Sequence, residues 1–191
     1  MTNEQLTMQR KYRVFNRLML LLWRLGLGPA LNGWLKPVGQ VMVLNHLDRN
    51  TGKRRQTPLH YAEVSGEIYC AAGFDKTDDW YGDIVANPQV EVWLPNGWWA
   101  GIAEEVIDPE VRLPILRAVL TASGPAAPAL GLPVRQMSDE QLAAASANFR
   151  LIRIRRTTAR TGPGGPGDLA GIWPLATVFL FWLLLTGRRR K

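Results

Sequence analysis

The chain has 191 residues, 47% of them hydrophobic and 20% charged, which is enough for one domain with a substantial core. Basic residues outnumber acidic ones by ten to two in residues 1–58 and by nine to one in residues 150–191, whereas residues 59–149 carry four against thirteen. Cations at the chain ends, beside apolar runs, favour an anionic membrane surface as partner over nucleic acid. A single cysteine excludes an internal disulfide, and two isolated histidines indicate no metal site.

Residues 1–37 are predicted to form an N-terminal amphipathic helix and a turn. The helix covers Asn3–Leu25, where leucines recur at helical spacing with arginines between them. Glycines and a proline from Gly26 to Pro29 end it. The helix either packs on the folded domain or lies at a membrane interface, and the sequence favours neither.

From Gly39 the pattern changes to short β-branched and aromatic runs separated by turn residues, which predicts strands. Cys70 lies in one of them and is interpreted as a small core residue. The predicted strands are Val41–Leu44, Leu59–Val64, Ile68–Ala72, Val90–Leu94 and Trp98–Ile107.

Three helices are predicted between or after these strands. The first holds Trp80 and Tyr81, with Asp78 as its N-cap. The others cover Pro109–Thr121 and Ser138–Asn148, and the latter begins with a capping-box pattern. Residues 122–137 between them form an apolar loop rich in Pro and Gly, which we predict to be a lid or a substrate wall.

A dense group of cations lies between the first two strands, within residues 48–55, which we call the basic turn. Loops that carry cations on a sheet commonly hold anionic ligands, because charge-assisted hydrogen bonds form there. A solvated charge run in a hairpin is the alternative. The four cations are Arg49, Lys53, Arg54 and Arg55.

The order of residues around this turn resembles the deazaflavin-dependent nitroreductase family, oxidoreductases that use coenzyme F-420. One family pattern, close to G-[RK]-x-[ST]-G-x-x-R-x-x-P-L, is matched by Arg49, Thr51, Gly52, Arg55, Pro58 and Leu59. A second, W-Y-x-N-[LI]-x-A-N-P-x-V, is matched by Trp80, Tyr81, Ile84, Ala86, Asn87, Pro88 and Val90. The chain departs from these patterns at Asp48, Asn50, Phe74, Asp75 and Asp83.

The resemblance implies an α+β fold over residues 38–158, a split β-barrel of the FMN-binding type with flanking helices. Phe149–Arg155 then becomes the closing strand. It also implies a cofactor site, in which the cations meet the polyanionic tail of the coenzyme and small residues let the ring approach the backbone. The implied cofactor-binding residues are Arg49, Lys53, Arg54, Arg55, Thr57, Pro58, Ala71, Ala72, Gly73, Trp80, Tyr81 and Asn87.

The activity implied by the resemblance is hydride transfer from the reduced deazaflavin coenzyme to a lipophilic acceptor, such as a quinone or a nitro compound. An FMN-binding or haem-binding barrel stays open, as does a non-catalytic member that binds lipid or a partner. Core packing is the alternative role for Trp80 and Tyr81. The only candidates for a general acid are Tyr81 and His60. A homodimer is neither favoured nor excluded.

The C-terminal part of the sequence is predicted to anchor the chain in a membrane. Residues 159–168 form a Gly/Pro-rich linker, and residues 169–187 contain no charged side chain before the basic tail of residues 188–191. About 20 apolar residues are needed to cross a bilayer, so the sequence predicts a transmembrane helix over 169–187. A buried core helix is the alternative. We expect the catalytic domain on the cytoplasmic face, where a reduced coenzyme is available.

Overall fold

Six antiparallel strands close into a barrel in the order β1-β2-β3-β6-β5-β4. The computed structural model describes residues 3–34, 39–73 and 79–187. The strands are β1 (Val41–Leu47), β2 (Arg54–Val64), β3 (Glu67–Ala72), β4 (Gln89–Leu94), β5 (Gly97–Glu105) and β6 (Arg150–Ala159). The helices are α1 (Asn3–Arg24), α2 (Gly28–Trp34), α3 (Asp79–Ala86), α4 (Pro109–Ala122), α5 (Ala126–Ala129), α6 (Asp139–Ala145) and α7 (Ile172–Gly187).

The barrel and its flanking helices confirm the predicted fold class. Each predicted strand is present, and β2 begins at Arg54, five residues earlier than expected, because Arg54 and Arg55 pair with the end of β1. The capping box at the start of α6 is also present, since the Ser138 and Gln141 side chains each bond the other's backbone N–H. Asp78, the predicted N-cap of α3, lies outside the described residues.

Alternation along the strands fills the barrel interior and leaves a second apolar face outside. Inside, strand residues such as Leu44, Leu59 and Ile154 pack together, and α3 covers one end of the barrel with Trp80 and Ile84. The residues that pack α4–α6 on the outside are Ala62, Tyr69, Ala71, Leu116, Val119, Leu120, Ala127, Leu132, Val134, Leu142 and Leu151.

The apolar loop of residues 122–137 belongs to this outer layer. It holds α5 and a short 3-10 turn, and Ala127, Leu132 and Val134 are buried against α4 and α6. The loop therefore packs beside β2, β3 and β6, not over the barrel end as expected of a lid.

The predicted transmembrane helix over 169–187 is not found. Helix α7 has 16 residues, and no helix in the described ranges is both long and apolar enough to cross a membrane. At 1.5 Å per residue such a helix extends about 24 Å, against roughly 30 Å of hydrocarbon. The apolar run is shortened because the Leu169 N–H bonds to the Arg24 carbonyl and holds residues 169–171 in a turn. The basic tail lies outside the described residues.

The Gly/Pro-rich segment before α7 also differs from the expected flexible linker. The Gly167 N–H bonds to the Trp23 carbonyl at 3.0 Å, and Asp168 pairs with Arg24 at 2.8 Å. A Cβ on Gly165 would overlap the Trp98 ring, so the chain passes close against that side chain. The segment is thus fastened to the end of α1 and to β5.

Substitution of Gly39 tests how tightly the end of α4 packs against the start of β1. Its φ is +77°, and a Cβ there would lie 2.5 Å from the Ser123 carbonyl carbon. We expect Gly39→Ala to destabilise the protein by about 2–4 kcal/mol, since backbone strain and a backbone clash add. Gly131→Ala is the matched control, because its φ is +81° but nothing lies within 4 Å. Equal losses in urea unfolding would contradict the clash.

Candidate functional site

The basic turn is a defined loop and not a loose charge run. The Asp48 carboxylate accepts hydrogen bonds from the backbone N–H groups of Asn50 at 3.0 Å and Thr51 at 2.8 Å. The bond from Thr51 is the main reason that the pKa of Asp48 lies below its usual value. Gly52 closes the loop with φ +65° and donates its N–H to the Asp48 carbonyl. Asp48, a departure from the family pattern, is therefore the residue that shapes this turn.

A second set of contacts fastens the turn to α3. The Arg49 backbone N–H donates to Asp83 Oδ1 at 3.0 Å, and Asp83 is 2% exposed. The Arg49 guanidinium lies over Gly82, in the space that a Cβ would fill. Turn and helix are thus held together at the end of the barrel that Trp80 covers.

The four cations of the turn have different surroundings. Arg55 lies among carboxylates, 3.1 Å from Asp48, 3.8 Å from Asp79 and 3.9 Å from Asp83. Arg54 points to the other face of β2 and pairs with Glu91 at 3.3 Å. Among the described residues, the exposed side chains of Arg49 and Lys53 have no acidic partner. These two are therefore the cations available to an external anion.

Arg54 belongs to a cavity of about 430 Å³ at the seam between β1 and β4. The two strands pair over Val43–Asn45, and the cavity is lined by residues at and beyond the last of these pairs. Glu91 lies in this cavity and pairs with both Arg54 and Arg160, so one carboxylate is shared between two cations. Asn87, another predicted cofactor residue, lines the same cavity.

Buried polar groups lie beneath the turn. His46 Nδ1 is 3.0 Å from Asp83 Oδ2. On the other side of the ring, Nε2 lies 2.9 Å from the Thr57 hydroxyl. Burial lowers the pKa of His46, and the nearby Asp83 charge opposes that shift without cancelling it.

The remaining predicted residues divide between this end of the barrel and the core. Tyr61 pairs with Cys70, so the register brings the end of β3, at Ala72 and Gly73, near Leu59 and two residues from Thr57. Gly73 is exposed, whereas Ala72 faces the barrel interior. Pro58 is buried opposite Val43, and Ala71 packs under α4.

The two aromatic residues of α3 face different surroundings. Trp80 is 4% exposed and packs inside the barrel, which matches the core-packing alternative. Tyr81 is partly buried at the rim and donates its hydroxyl to Glu105 at 2.8 Å. That bond is the main reason that the pKa of Tyr81 is raised, so the hydroxyl keeps its proton at neutral pH.

Sequence reasoning did not select the residues that organise this site. Asp48 and Asp83 were noted only as departures, and His46 was not considered for it. A signal did exist for His46, because it follows Met42 and Leu44 at period two and so points into the barrel. A polar residue in such a register needs a buried partner. His60, a candidate general acid, lies opposite Val41 at the far end of β1 and is remote from the turn.

The buried His46 predicts a specific loss of stability in acid. Its folded pKa is lowered from 6.5, so between these values the unfolded chain binds more protons and stability falls with falling pH. We expect His46→Gln to show a weaker decrease in unfolding free energy from pH 7.5 to pH 5, measured by urea titration. His60→Gln leaves the His46 pair intact and should retain that part of the decrease. Identical slopes in His46→Gln and the unaltered protein would contradict this assignment.

Comparison with known proteins adds a family match. Residues 28–129 match the model of a family described as "F420H(2)-dependent quinone reductase". This range contains the whole basic turn, α3 and the end of β3.

Solved structures with a similar fold share little sequence. A structure named as an F420-H2 dependent reductase is 20% identical, covers 61% of this chain and 94% of its own, and has a TM-score of 0.45. A putative pyridoxamine 5'-phosphate oxidase from Listeria innocua is 16% identical over 63% and 86%, with a TM-score of 0.46. HutZ, a haem storage protein from Vibrio cholerae, is 12% identical over 73% and 96%, with a TM-score of 0.45.

Proposed function

The chain belongs to the F420H(2)-dependent quinone reductase family, and we propose that it transfers hydride from reduced coenzyme F-420 to a quinone at the barrel end beside the basic turn. The observation that carries this location is that two exposed cations, Arg49 and Lys53, have no acidic partner within the part of the chain that the structure describes and lie on a turn that is fixed to α3. When bound, the reduced coenzyme supplies the hydride. The protein supplies binding, orientation and charge.

The residues at this end of the barrel fit a deazaflavin with a long anionic tail. Lys53 and Arg49 would hold the phosphodiester and glutamate groups, because charge-assisted bonds to oxyanions suit both side chains. Gly73 is exposed at the end of β3, where the family resemblance places the ring, and the space that its Cβ would fill is taken by Phe149. For Arg55 we propose a structural role in place of the predicted tail contact, since it pairs with Asp48 and lies 3.9 Å from Asp83.

Tyr81 is the remaining candidate for delivering a proton to the reduced acceptor. Its hydroxyl is protonated at neutral pH but is engaged with Glu105, which in turn contacts Arg150. It can therefore donate to a substrate only if the bond to Glu105 is exchanged. We propose a quinone as the acceptor, in keeping with the family, and a nitro compound as an acceptor of lower priority.

The first test compares two cations of the turn, Lys53, which has no acidic partner among the described residues, and Arg54, which has one. We expect Lys53→Ala to weaken coenzyme binding by about 1.5–3 kcal/mol, the usual size for a hydrogen bond to a charged group. Arg54→Ala is the matched control and should lose less, because Arg54 already pairs with Glu91 on the other face of β2. Fluorescence titration at two ionic strengths gives both affinities, and added salt should weaken the unaltered protein most. Equal losses in the two variants would place the tail elsewhere.

The second test addresses the reaction itself. The purified chain should oxidise the reduced deazaflavin when a quinone is added, followed by the return of coenzyme absorbance, and should not do so with reduced FMN. Visible spectra after incubation with FMN or haem test those two alternatives directly. Binding of FMN or haem, with no turnover of the deazaflavin by any quinone, would refute the proposed activity.

The predicted membrane location and the homodimer stay predictions. Cell fractionation with an antibody to the chain tests the first, and light scattering of the purified protein tests the second.

A further inference from the structure

A surface cavity to which the proposed function assigns no role lies on the Tyr81 side of α3. It has a volume of about 400 Å³ and is bounded by the end of β5, the start of α4, the end of α6 and the start of β6. Pockets that hold small molecules commonly measure roughly 300–1,000 Å³. The apolar part of its lining comes from Val106, Ile107, Leu113, Ala143, Ala147 and Phe149.

The charged residues of this cavity are engaged with other groups of the protein. Glu105 accepts the Tyr81 hydroxyl at 2.8 Å and pairs with Arg150 at 3.3 Å. Arg112 donates to two backbone carbonyls that follow α6, at 2.9 and 2.8 Å. The surface that stays open to a ligand is the apolar lining, where Ile107 is 81% exposed. The cavity therefore suits an uncharged, apolar group, because each of its charged side chains already has a partner.

Two contacts join the cavity to the end of the barrel where the proposed reaction takes place. Tyr81, whose hydroxyl reaches Glu105 in the cavity wall, is followed in α3 by Gly82, over which a cation of the basic turn lies. Phe149, another part of the wall, lies against Gly73, since a Cβ on that glycine would be 2.8 Å from the Phe149 ring. The cavity thus adjoins α3 and the end of β3, the elements that the proposed function places around the coenzyme.

We propose that this cavity holds the isoprenoid side chain of a lipid quinone while the quinone ring is reduced beside Tyr81. The inference rests on the proposed function and adds to it the part of the acceptor that determines affinity. An isoprenoid side chain is uncharged and has no hydrogen-bonding group, and its burial in an apolar cavity is favourable because it removes apolar surface from water. A quinone without this side chain leaves the cavity unfilled, so the protein should prefer the lipid quinone.

The test uses two quinones with the same ring, one with a side chain of two isoprene units and one without it. Ala143→Leu places a larger side chain in the cavity from an exposed position of α6, and Ala144→Leu is the matched control, because Ala144 is also exposed but is not part of the lining. We expect the ratio of kcat/KM for the prenylated over the unprenylated quinone to fall about tenfold in Ala143→Leu, as for roughly two methylene groups that lose apolar contact. In Ala144→Leu the ratio should stay within about twofold.

A second pair of variants removes apolar surface outside α6. Ile107→Ser changes an exposed side chain of the lining, and Val111→Ser is its control, because Val111 is 44% exposed on α4 but lies outside the lining. We expect the same ratio to fall about fivefold in Ile107→Ser alone. Since both side chains are exposed, neither change should prevent folding. Should Ala143→Leu lack a melting transition, the Ile107→Ser ratio decides in its place.

Calorimetric titration of the two quinones without coenzyme separates this inference from the proposed function. The unaltered protein should bind the prenylated quinone about tenfold more tightly, and Ala143→Leu should lose that preference. Equal affinities of the unaltered protein for both quinones, or equal ratios in Ala143→Leu and Ala144→Leu, would overturn the inference and leave the proposed function intact. A preference that Ala143→Leu abolishes, with no turnover of either quinone, would support the cavity and refute the proposed function.

Discussion

The site depends on the Asp83 carboxylate, which is buried between the basic turn and the barrel. One oxygen accepts the Arg49 backbone N–H, and the other lies against His46 and within 3.9 Å of Arg55. A buried carboxylate with partners removed leaves an uncompensated charge, so these contacts hold one another in place. The turn and β1, which adjoin in sequence, are joined through this single side chain to α3, although Arg49 and Asp83 are 34 residues apart.

This arrangement separates cations that hold the structure from cations that meet a ligand. Arg55 and Arg54 balance acidic residues, while Arg49 and Lys53 face solvent on a loop whose backbone is fixed by Asp48 and Asp83. A loop ordered in advance loses less conformational entropy when an anion binds. The cations of the basic turn thus serve two functions, and the acidic partners of each residue show which function it serves.

Local patterns in the sequence were sufficient for most of the fold, and long-range contacts account for what they missed. The capping box at Ser138 and the strand alternation are set by neighbours along the chain, so they were predicted. The packing of residues 161–171 was not, because it depends on carbonyls of Trp23 and Arg24 at the end of α1. The same holds for the site, where the contact of Arg55 with Asp83 of α3 depends on a residue that is distant in sequence. The cofactor-binding residues implied by the family resemblance remain predictions.

The site also constrains the shape of what it can bind. Lys53 and Thr57 are four residues apart on an extended segment, a separation of roughly 13 Å at about 3.3 Å per residue. A ligand that contacts both residues must be elongated, with its negative charge at the Lys53 end. A compact anion would reach the cations Arg49 and Lys53 but not Thr57. Recognition of both ends at once favours a molecule that joins a flat polar ring to an anionic tail, because the two contacts then act on one binding event.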